Sequence, residues 1–170
     1  MHSFTTWESP LGPLWLAADE EGLTAVHFAA APDAAERRRW RRWGLPAPQR
    51  DDDHPLLRRA VRQLEAYFLG ERTAFDLPLD LRGTPFQKRV WEEVARIPYG
   101  ETRTYGYIAG QIGRPWAARA VGQAVGRNPV VIVVPCHRVV AADGTLGGFS
   151  SGLWRKRALL ALEGVTVAGE

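Results

Sequence analysis

The spacing of apolar residues predicts a different kind of structure in each half of the chain. The segment FTTWESPLGPLWLAADEEGLTAVHF alternates strand-like stretches with turn signals at residues 9–12 and 21–22, which indicates a short antiparallel meander. Apolar residues then recur at helical spacing over residues 55–69, just before Gly70, and this pattern predicts an amphipathic helix. The first half therefore has the pattern of a small α+β unit.

Helix signals dominate the second half. The segment that begins at Thr84, TPFQKRVWEEVARI, opens with a capping box, a side-chain pattern that starts helices. Two shorter helices are predicted at about residues 104–112 and 116–126, joined by a glycine-containing turn, and this arrangement indicates a helix-turn-helix. A looser segment separates the halves, so we expect two domains, residues 1–80 and 81–170.

Charge is distributed unevenly along the chain. The net charge is +3, but residues 1–83 contain eleven basic and thirteen acidic residues, whereas residues 84–170 contain eleven basic and six acidic. A basic second half favours a polyanionic partner, although charge alone does not separate nucleic acid from an acidic protein. The five arginines within residues 37–42 form either a nucleic-acid patch or a solvated helix face, and the second interpretation is favoured.

The cysteine count and the hydropathy pattern bound the location of the protein. A single cysteine excludes an internal disulfide, and the first residues lack the basic-then-apolar pattern of a secretory signal. No apolar run approaches the roughly 20 residues needed to cross a bilayer. We therefore expect a cytoplasmic protein with a reduced thiol and no membrane role.

The segment VVIVVPCHRVVAADG, residues 130–144, holds the two unusual residues of the second half. Cys136 is the only cysteine of the chain, and His137 is the only histidine of that half. One interpretation is a buried free cysteine beside a histidine placed by chance. The alternative is a nucleophile and its base. Neighbouring side chains of a regular strand point to opposite faces, but Pro135 ends regular pairing, so a turn can bring thiol and imidazole together.

Activation of a thiol by a base has a limited effect. An unperturbed cysteine is about 3% thiolate at neutral pH, so a base raises that fraction by at most roughly thirtyfold. A third group should orient the imidazole, and Glu163, at the end of the last predicted helix, is either that group or an exposed helix-terminal carboxylate. Asn128, the only asparagine, precedes Pro129 and has the position of a turn residue.

The predicted helix WAARAVGQAVG carries few side chains that read DNA bases. Only Arg119 and Gln123 are long hydrogen-bonding residues, whereas a base-reading helix needs several. The small residues either allow close approach to a DNA backbone with little sequence information or pack tightly in a core. The residues alone do not decide between these two interpretations.

Together these segments resemble the O6-alkylguanine-DNA alkyltransferases, a family that repairs alkylated guanine by moving the alkyl group onto a cysteine. The matching elements are TPFQKRVWEEVARIPYGETRTYG, AARAVGQAVGRNPV, PCHRVV, GFSSG and LLALEG. The resemblance implies an α+β fold with a small N-terminal ribonuclease-H-like antiparallel sheet domain. It also implies a C-terminal helical domain with a winged helix-turn-helix and a short buried strand that carries the active-site cysteine.

The resemblance also implies a role for each residue of the catalytic site. Cys136 is expected to accept the alkyl group, and His137 to draw off its proton through a water while Glu163 orients His137. Asn128 is expected to bridge the helix-turn-helix to the active-site turn. Tyr105 is expected to crowd the target phosphate and to protonate the departing guanine.

The implied DNA partner is double-stranded, contains alkylated guanine, and is bound in the minor groove with little sequence preference. Arg119 is expected to fill the gap that the flipped guanine leaves. The other implied DNA-binding residues are Thr104, Ala118, Gly122, Gln123 and Arg127.

The implied substrate pocket departs from the common family pattern at three positions. Its expected residues are Val131, Val139, Phe149, Ser150 and Ser151. Phe149 stands where many relatives have tyrosine, Ser151 where glycine is frequent, and Val131 where some have proline. We therefore expect activity on O6-methylguanine, less on O4-alkylthymine, and obstruction of bulky adducts by Ser151.

The implied reaction needs no metal or organic cofactor, and each molecule should act once, as a monomer. No Cys/His cluster has metal-ligand spacing. Three other functions compete: a lesion-binding protein of the alkyltransferase-like kind, a cysteine hydrolase, and a transcription regulator. Cys136 opposes the first, the basic helix-turn-helix opposes the second, and the lack of base-reading side chains opposes the third.

Overall fold

Three antiparallel strands form the centre of the N-terminal unit. In the computed structural model, which describes residues 1–167, they are β1 (Ser3–Ser9), β2 (Gly12–Ala18) and β3 (Leu23–Phe28). The short strand β4 (Gln49–Arg50) pairs in parallel with β1, so the strand order is β3-β2-β1-β4. The predicted meander is confirmed.

Two helices belong to the same unit, which spans Met1–Gly83. Helix α1 (Ala34–Arg42) is N-capped by Asp33, and α2 (Pro55–Phe68) matches the predicted amphipathic helix. The Trp40 ring of α1 packs edge-on against Trp15 of the sheet. This contact buries one side of α1, while most arginines of the run at residues 37–42 stay exposed.

The C-terminal unit, Thr84–Glu170, is mainly helical. Its helices are α3 (Pro85–Ala95), α4 (Tyr105–Gln111), α5 (Ala118–Gly126) and α6 (Leu153–Leu162). The capping box of α3 is confirmed, because the Gln87 amide donates to Thr84 Oγ1 at 3.1 Å and the Thr84 amide donates to Gln87 Oε1 at 3.0 Å.

The helix-turn-helix is also confirmed, since α4 and α5 pack against each other and against α3. Helix α5 begins two residues later than predicted. The Ala117 amide donates to the Arg114 carbonyl at 2.9 Å, so residues 114–117 form a separate turn. Gly113, with φ of 77°, lets the chain leave α4.

Cys136 lies in a turn directly before a short strand. Cys136–Arg138 form one 3-10 turn, and β6 (Val139–Val140) pairs in parallel with β5 (Arg103–Thr104). The expectation that the strand itself carries the cysteine is corrected in this detail. Pro135 has no amide hydrogen for strand pairing, and the Cys136 amide instead donates to the Val134 carbonyl at 2.8 Å. Among the described residues, no helix is long and apolar enough to span a membrane.

Candidate active site

Asn128 fixes the segment that leads to the cysteine. Its side-chain nitrogen donates to the Val134 carbonyl at 2.8 Å, and its side-chain oxygen accepts from the Val130 amide at 3.0 Å. The side chain is buried, and its polar interaction with the thiol lowers the pKa of Cys136. Asn128 therefore connects the end of α5 to the active-site turn, and it is more than an ordinary turn residue.

The segment that Asn128 holds contains the one strained non-glycine residue of the described chain. Ile132 is buried and has φ of 72°, a region that a β-branched side chain rarely adopts. The Val133 amide donates to the Val131 carbonyl across it at 2.8 Å. Such strain costs on the order of 1–3 kcal/mol and is concentrated at functional sites.

A buried hydrogen bond joins His137 to Glu163. The distance between His137 Nε2 and Glu163 Oε2 is 2.7 Å, and both side chains are fully buried. Because a carboxylate only accepts, Nε2 carries the hydrogen. His137 Nδ1 has no hydrogen-bond partner among residues 1–167. The nitrogen that can take a proton is therefore Nδ1.

Arg138 holds the Glu163 carboxylate from a second direction. Its Nε donates to Oε1 at 2.8 Å, its Nη2 donates to Oε2 at 3.0 Å, and its Nη1 donates to the Ile97 carbonyl at 2.7 Å. The Gly100 amide adds another bond to Oε1 at 3.1 Å. Each oxygen of the Glu163 carboxylate thus accepts at least two hydrogen bonds. The side chain is buried and is not an exposed helix-terminal group.

Lys156 also belongs to the candidate site, although the sequence patterns did not predict it there. Its side chain is fully buried on α6, and Nζ donates to the Val139 carbonyl at 2.6 Å and the Gly148 carbonyl at 2.9 Å. Desolvation lowers its pKa to about 8, opposed by the charge of Cys136. One signal was present, because Lys156 is one of only two lysines among 22 basic residues.

Burial and nearby charges act in opposite directions on the thiol. Burial raises the pKa of Cys136, while the hydrogen bond to Asn128 and the charge of Lys156 lower it. Burial also lowers the pKa of His137, opposed by Glu163. At neutral pH the resting thiol and imidazole are both neutral. Unaided thiolate is thus scarcer than in a free cysteine, and a base can contribute more than the thirtyfold expected from an unperturbed thiol.

Tyr105, the first residue of α4, packs between two glycines. A Cβ at Gly122 would lie 3.7 Å from its ring, and a Cβ at Gly147 would lie 3.0 Å from it. The Tyr105 hydroxyl donates to the Gly148 carbonyl at 3.5 Å, and burial raises its pKa. The side chain therefore stays protonated and is able to donate a proton, and the close approach of its ring leaves little room for a Cβ at Gly147.

The loop before α6 carries three of the expected pocket residues. Phe149 and Ser151 are half-buried and Ser150 is exposed. The Ser151 carbonyl accepts from Arg155 Nη1 at 2.9 Å, and the Arg155 guanidinium stacks 4.5 Å from the Trp154 ring centroid. The other two pocket residues, Val131 and Val139, are both buried. Val131 directly precedes the strained Ile132, and the Val139 carbonyl accepts a hydrogen bond from Lys156.

The expected DNA-binding residues lie mainly on α5. Arg119, Gln123 and the C-cap residue Arg127 are exposed, and Ala118 is half-buried. Thr104 caps α4, where its hydroxyl oxygen accepts from the Tyr107 amide at 3.0 Å. Within residues 1–167, no group of three or more His, Cys, Asp or Glu side chains has an arrangement that could hold a metal ion.

Two protein-family models match the chain. One is the 6-O-methylguanine DNA methyltransferase DNA binding domain, over residues 85–165, and the other is the ribonuclease-like domain of the same protein, over residues 3–81. The chain therefore belongs to the 6-O-methylguanine DNA methyltransferase family.

Relatives and solved structures agree with this assignment. A methylated-DNA–protein-cysteine methyltransferase of Mycobacterium tuberculosis is 50% identical over 163 residues, covering 96% of this chain and 93% of the relative. One from Methanosarcina acetivorans is 50% identical over 161 residues, covering 95% and 97%. The crystal structure of the M. tuberculosis O6-methylguanine methyltransferase has a TM-score of 0.83 at 50% identity, covering 96% of this chain and 93% of that chain. M. tuberculosis OGT in complex with DNA has a TM-score of 0.83 at 49% identity, covering 95% and 92%.

Proposed function

We propose that this protein repairs DNA by direct reversal, moving the alkyl group of O6-alkylguanine onto Cys136. The observation that carries this proposal is the buried hydrogen bond of 2.7 Å between His137 and Glu163. His137 directly follows Cys136 in the chain, and the Cys136 thiol is also buried. The relatives' name, methylated-DNA–protein-cysteine methyltransferase, supports the same reaction. Double-stranded DNA is the partner.

The alkylated oxygen lies inside a stacked duplex, so the guanine must first be flipped out. This step costs about a few kcal/mol, and less for a weakened pair. Helix α5 enters the minor groove, where its small residues permit close approach with little sequence preference. Arg119, exposed on α5, fills the gap.

The proton of Cys136 then moves to His137. The Nδ1 atom accepts it through a water, while Glu163 keeps its bond to Nε2 and stabilises the imidazolium that forms. The positive charge of Lys156 stabilises the new thiolate, because it lowers the pKa of Cys136.

The thiolate sulfur attacks the alkyl carbon as the bond from that carbon to O6 breaks. The electron pair of the broken bond stays on guanine, and the Tyr105 hydroxyl supplies the proton that neutralises it. Ser150 and the backbone around Cys136 and Val139 hold the guanine. The product is a thioether, which no group here hydrolyses, so each monomer acts once and needs no cofactor.

A count of repaired lesions tests this function. Protein is mixed with an excess of duplex containing one O6-methylguanine, and the remaining lesion is quantified by nucleoside analysis. We expect one lesion removed per protein molecule, and none with Cys136→Ala, which still binds the duplex. Repeated turnover would instead indicate a cysteine hydrolase, and binding without removal would indicate a lesion-binding protein.

The same assay defines the substrate range, and a binding titration with different duplexes defines the binding mode. We expect slower removal of O4-alkylthymine than of O6-methylguanine. Binding to unrelated duplex sequences should differ little, and affinity should fall as salt rises, because phosphate contacts dominate the interaction.

A further inference from the structure

A surface groove of the C-terminal unit includes several residues that have no role in the reaction described so far. Its volume is about 520 Å³, and its lining includes Phe86, Arg114, Trp116, Ala117, Arg119 and Gln123. Trp116 is 79% exposed. Its indole is therefore accessible to a ligand in the groove.

The groove combines aromatic rings with positive charge. Arg114 lies 5.6 Å from the Phe86 ring centroid, Arg119 is exposed, and the residues that line the groove include no acidic side chain. Basic grooves with aromatic side chains bind unpaired nucleotides, because phosphates meet the cations and bases stack on the rings. The chemistry of the groove therefore matches unpaired DNA.

We propose that this groove holds the cytosine left unpaired opposite the flipped guanine, with the Trp116 indole stacked on that base. The inference rests on the proposed function. Arg119 lines the groove and is also the residue that enters the gap. The base that has lost its partner at that gap is consequently the unpaired base nearest to Trp116.

This contact would give α5 a means of stabilising the flipped state without reading sequence. Stacking depends on a free base face, which a paired base inside the duplex does not offer. An alanine at such a stacking position weakens binding by roughly 5- to 100-fold per base. Trp116 would therefore increase affinity for flipped DNA and leave affinity for intact duplex nearly unchanged.

The test compares two duplexes in the Cys136→Ala background, which keeps the lesion intact. In one duplex O6-methylguanine is opposite cytosine, and in the other it is opposite an abasic site. Adding Trp116→Ala should weaken binding to the first duplex by roughly 5- to 100-fold and to the second by less than about twofold, because no base is then available to stack. Trp116→Phe should keep most of the affinity.

Trp154→Ala is the matched control, since Trp154 is also exposed, at 54%, but lies outside the groove lining. It should leave the difference between the two duplexes unchanged. A fluorescent cytosine analogue opposite the lesion should be quenched by Cys136→Ala and not by the double variant with Trp116→Ala.

Two results would overturn the inference: equal weakening on both duplexes, which places the indole on the sugar–phosphate backbone, or no weakening on either. Failure of the proposed function has a different signature. In that case the wild-type protein gains no methyl group on Cys136, whatever the duplexes show. If the function holds and only the inference fails, the wild-type protein still gains one methyl group on Cys136, while Trp116→Ala weakens binding to both duplexes equally or to neither.

Discussion

Each unit of the molecule buries a carboxylate beside an arginine, but the two clusters have opposite charge balance. In the N-terminal unit, Arg82 donates to both Asp80 oxygens at 2.9 Å and lies 3.8 Å from Asp19. Burial, with a further contribution from Asp80, raises the pKa of Asp19 to about 6. In the C-terminal unit, one carboxylate, Glu163, faces both Arg138 and His137.

The difference indicates which cluster can support a thiolate. The two negative charges of Asp19 and Asp80 exceed the single positive charge of Arg82. Asp19 also accepts hydrogen bonds from the Glu21 and Gly22 amides at 2.9 and 3.1 Å, so this cluster stabilises a turn. In the other unit, the two positive charges of Arg138 and Lys156 exceed the single negative charge of Glu163, because His137 is neutral. Ionisation of Cys136 would balance that excess. The charge balance of the C-terminal cluster therefore fits the ionisation of Cys136 that the proposed reaction requires.

Removing the charge of Glu163 should have the largest effect. Glu163→Gln leaves Arg138 buried without a counter-charge and His137 without an acceptor of the same strength. We expect the single-turnover transfer rate to fall about 100- to 10,000-fold, the usual contribution of a positioned general base. The free energy of unfolding, measured in urea, should fall by about 3–5 kcal/mol. A rate within twofold of wild type would remove Glu163 from the mechanism.

Replacing the buried lysine should change the pH profile of the reaction. Lys156→Met removes the positive charge that lowers the pKa of Cys136, so the thiol needs a higher pH to ionise. The transfer rate at pH 7 should fall about tenfold for each unit by which that pKa rises. The difference from wild type should narrow above pH of about 8, where Lys156 itself loses its proton.

The matched control for that variant is Lys88→Met, because Lys88 is the only other lysine and is exposed. Its rate profile at saturating DNA should equal that of wild type. An equal loss of rate at every pH in Lys156→Met would show that Lys156 contributes packing and not charge.

The loop that Arg155 braces should control the size of the alkyl group. Ser151→Gly removes the side chain expected to narrow the pocket, so transfer from O6-benzylguanine in DNA should accelerate by about tenfold, while transfer from O6-methylguanine should change little. Single-turnover rates on the two lesions measure this ratio. Equal benzyl rates in wild type and variant would exclude obstruction by Ser151.

The smallest effect on transfer is expected in the acidic cluster. Asp19→Asn keeps the oxygen that accepts from Glu21 and Gly22 but removes a charge that burial disfavours. Because the folded-state pKa is raised to about 6, Asp19 opposes folding increasingly above pH of about 4 and fully above pH of about 6. The variant should be more stable than wild type at pH 7, by on the order of 1–2 kcal/mol.

That advantage should shrink as the pH falls from about 6 to about 4 and vanish below about 3, where Asp19 is protonated in both the folded and the unfolded state. Urea unfolding of the full chain at pH 7 and at pH of about 3 measures the difference in the free energy of unfolding between variant and wild type. The transfer rate should not change, and a large loss of rate would contradict the assignment of this cluster to structure alone.

Local signals in the sequence account for much of the fold. The capping box at Thr84, the turn signals of the meander and the helical spacing of α2 each involve residues close together in the chain. Neighbouring residues determine these features, so they were predictable without tertiary contacts. The later start of α5 was not, because Pro115 and Trp116 complete a turn whose hydrogen bond joins Arg114 to Ala117.

Parts of the candidate site depend on contacts that no local pattern reveals. Lys156 bonds carbonyls 17 and 8 residues away, and Arg138 bonds Glu163, 25 residues away. The sequence marks both residues as unusual without indicating a partner. The left-handed conformation of Ile132 was also unpredictable, since isoleucine disfavours it and the bonds around Asn128 impose it.

The central claim is that Cys136 accepts the alkyl group, and the mass of the protein tests it most directly. Wild type and Cys136→Ala are each incubated with excess duplex containing one O6-methylguanine, followed by intact-mass measurement and peptide mapping. The predicted result is a gain of one methyl group, located on Cys136 and limited to one per molecule. A lesion that is bound while the mass stays unchanged, or a methyl group on another residue, would contradict the account.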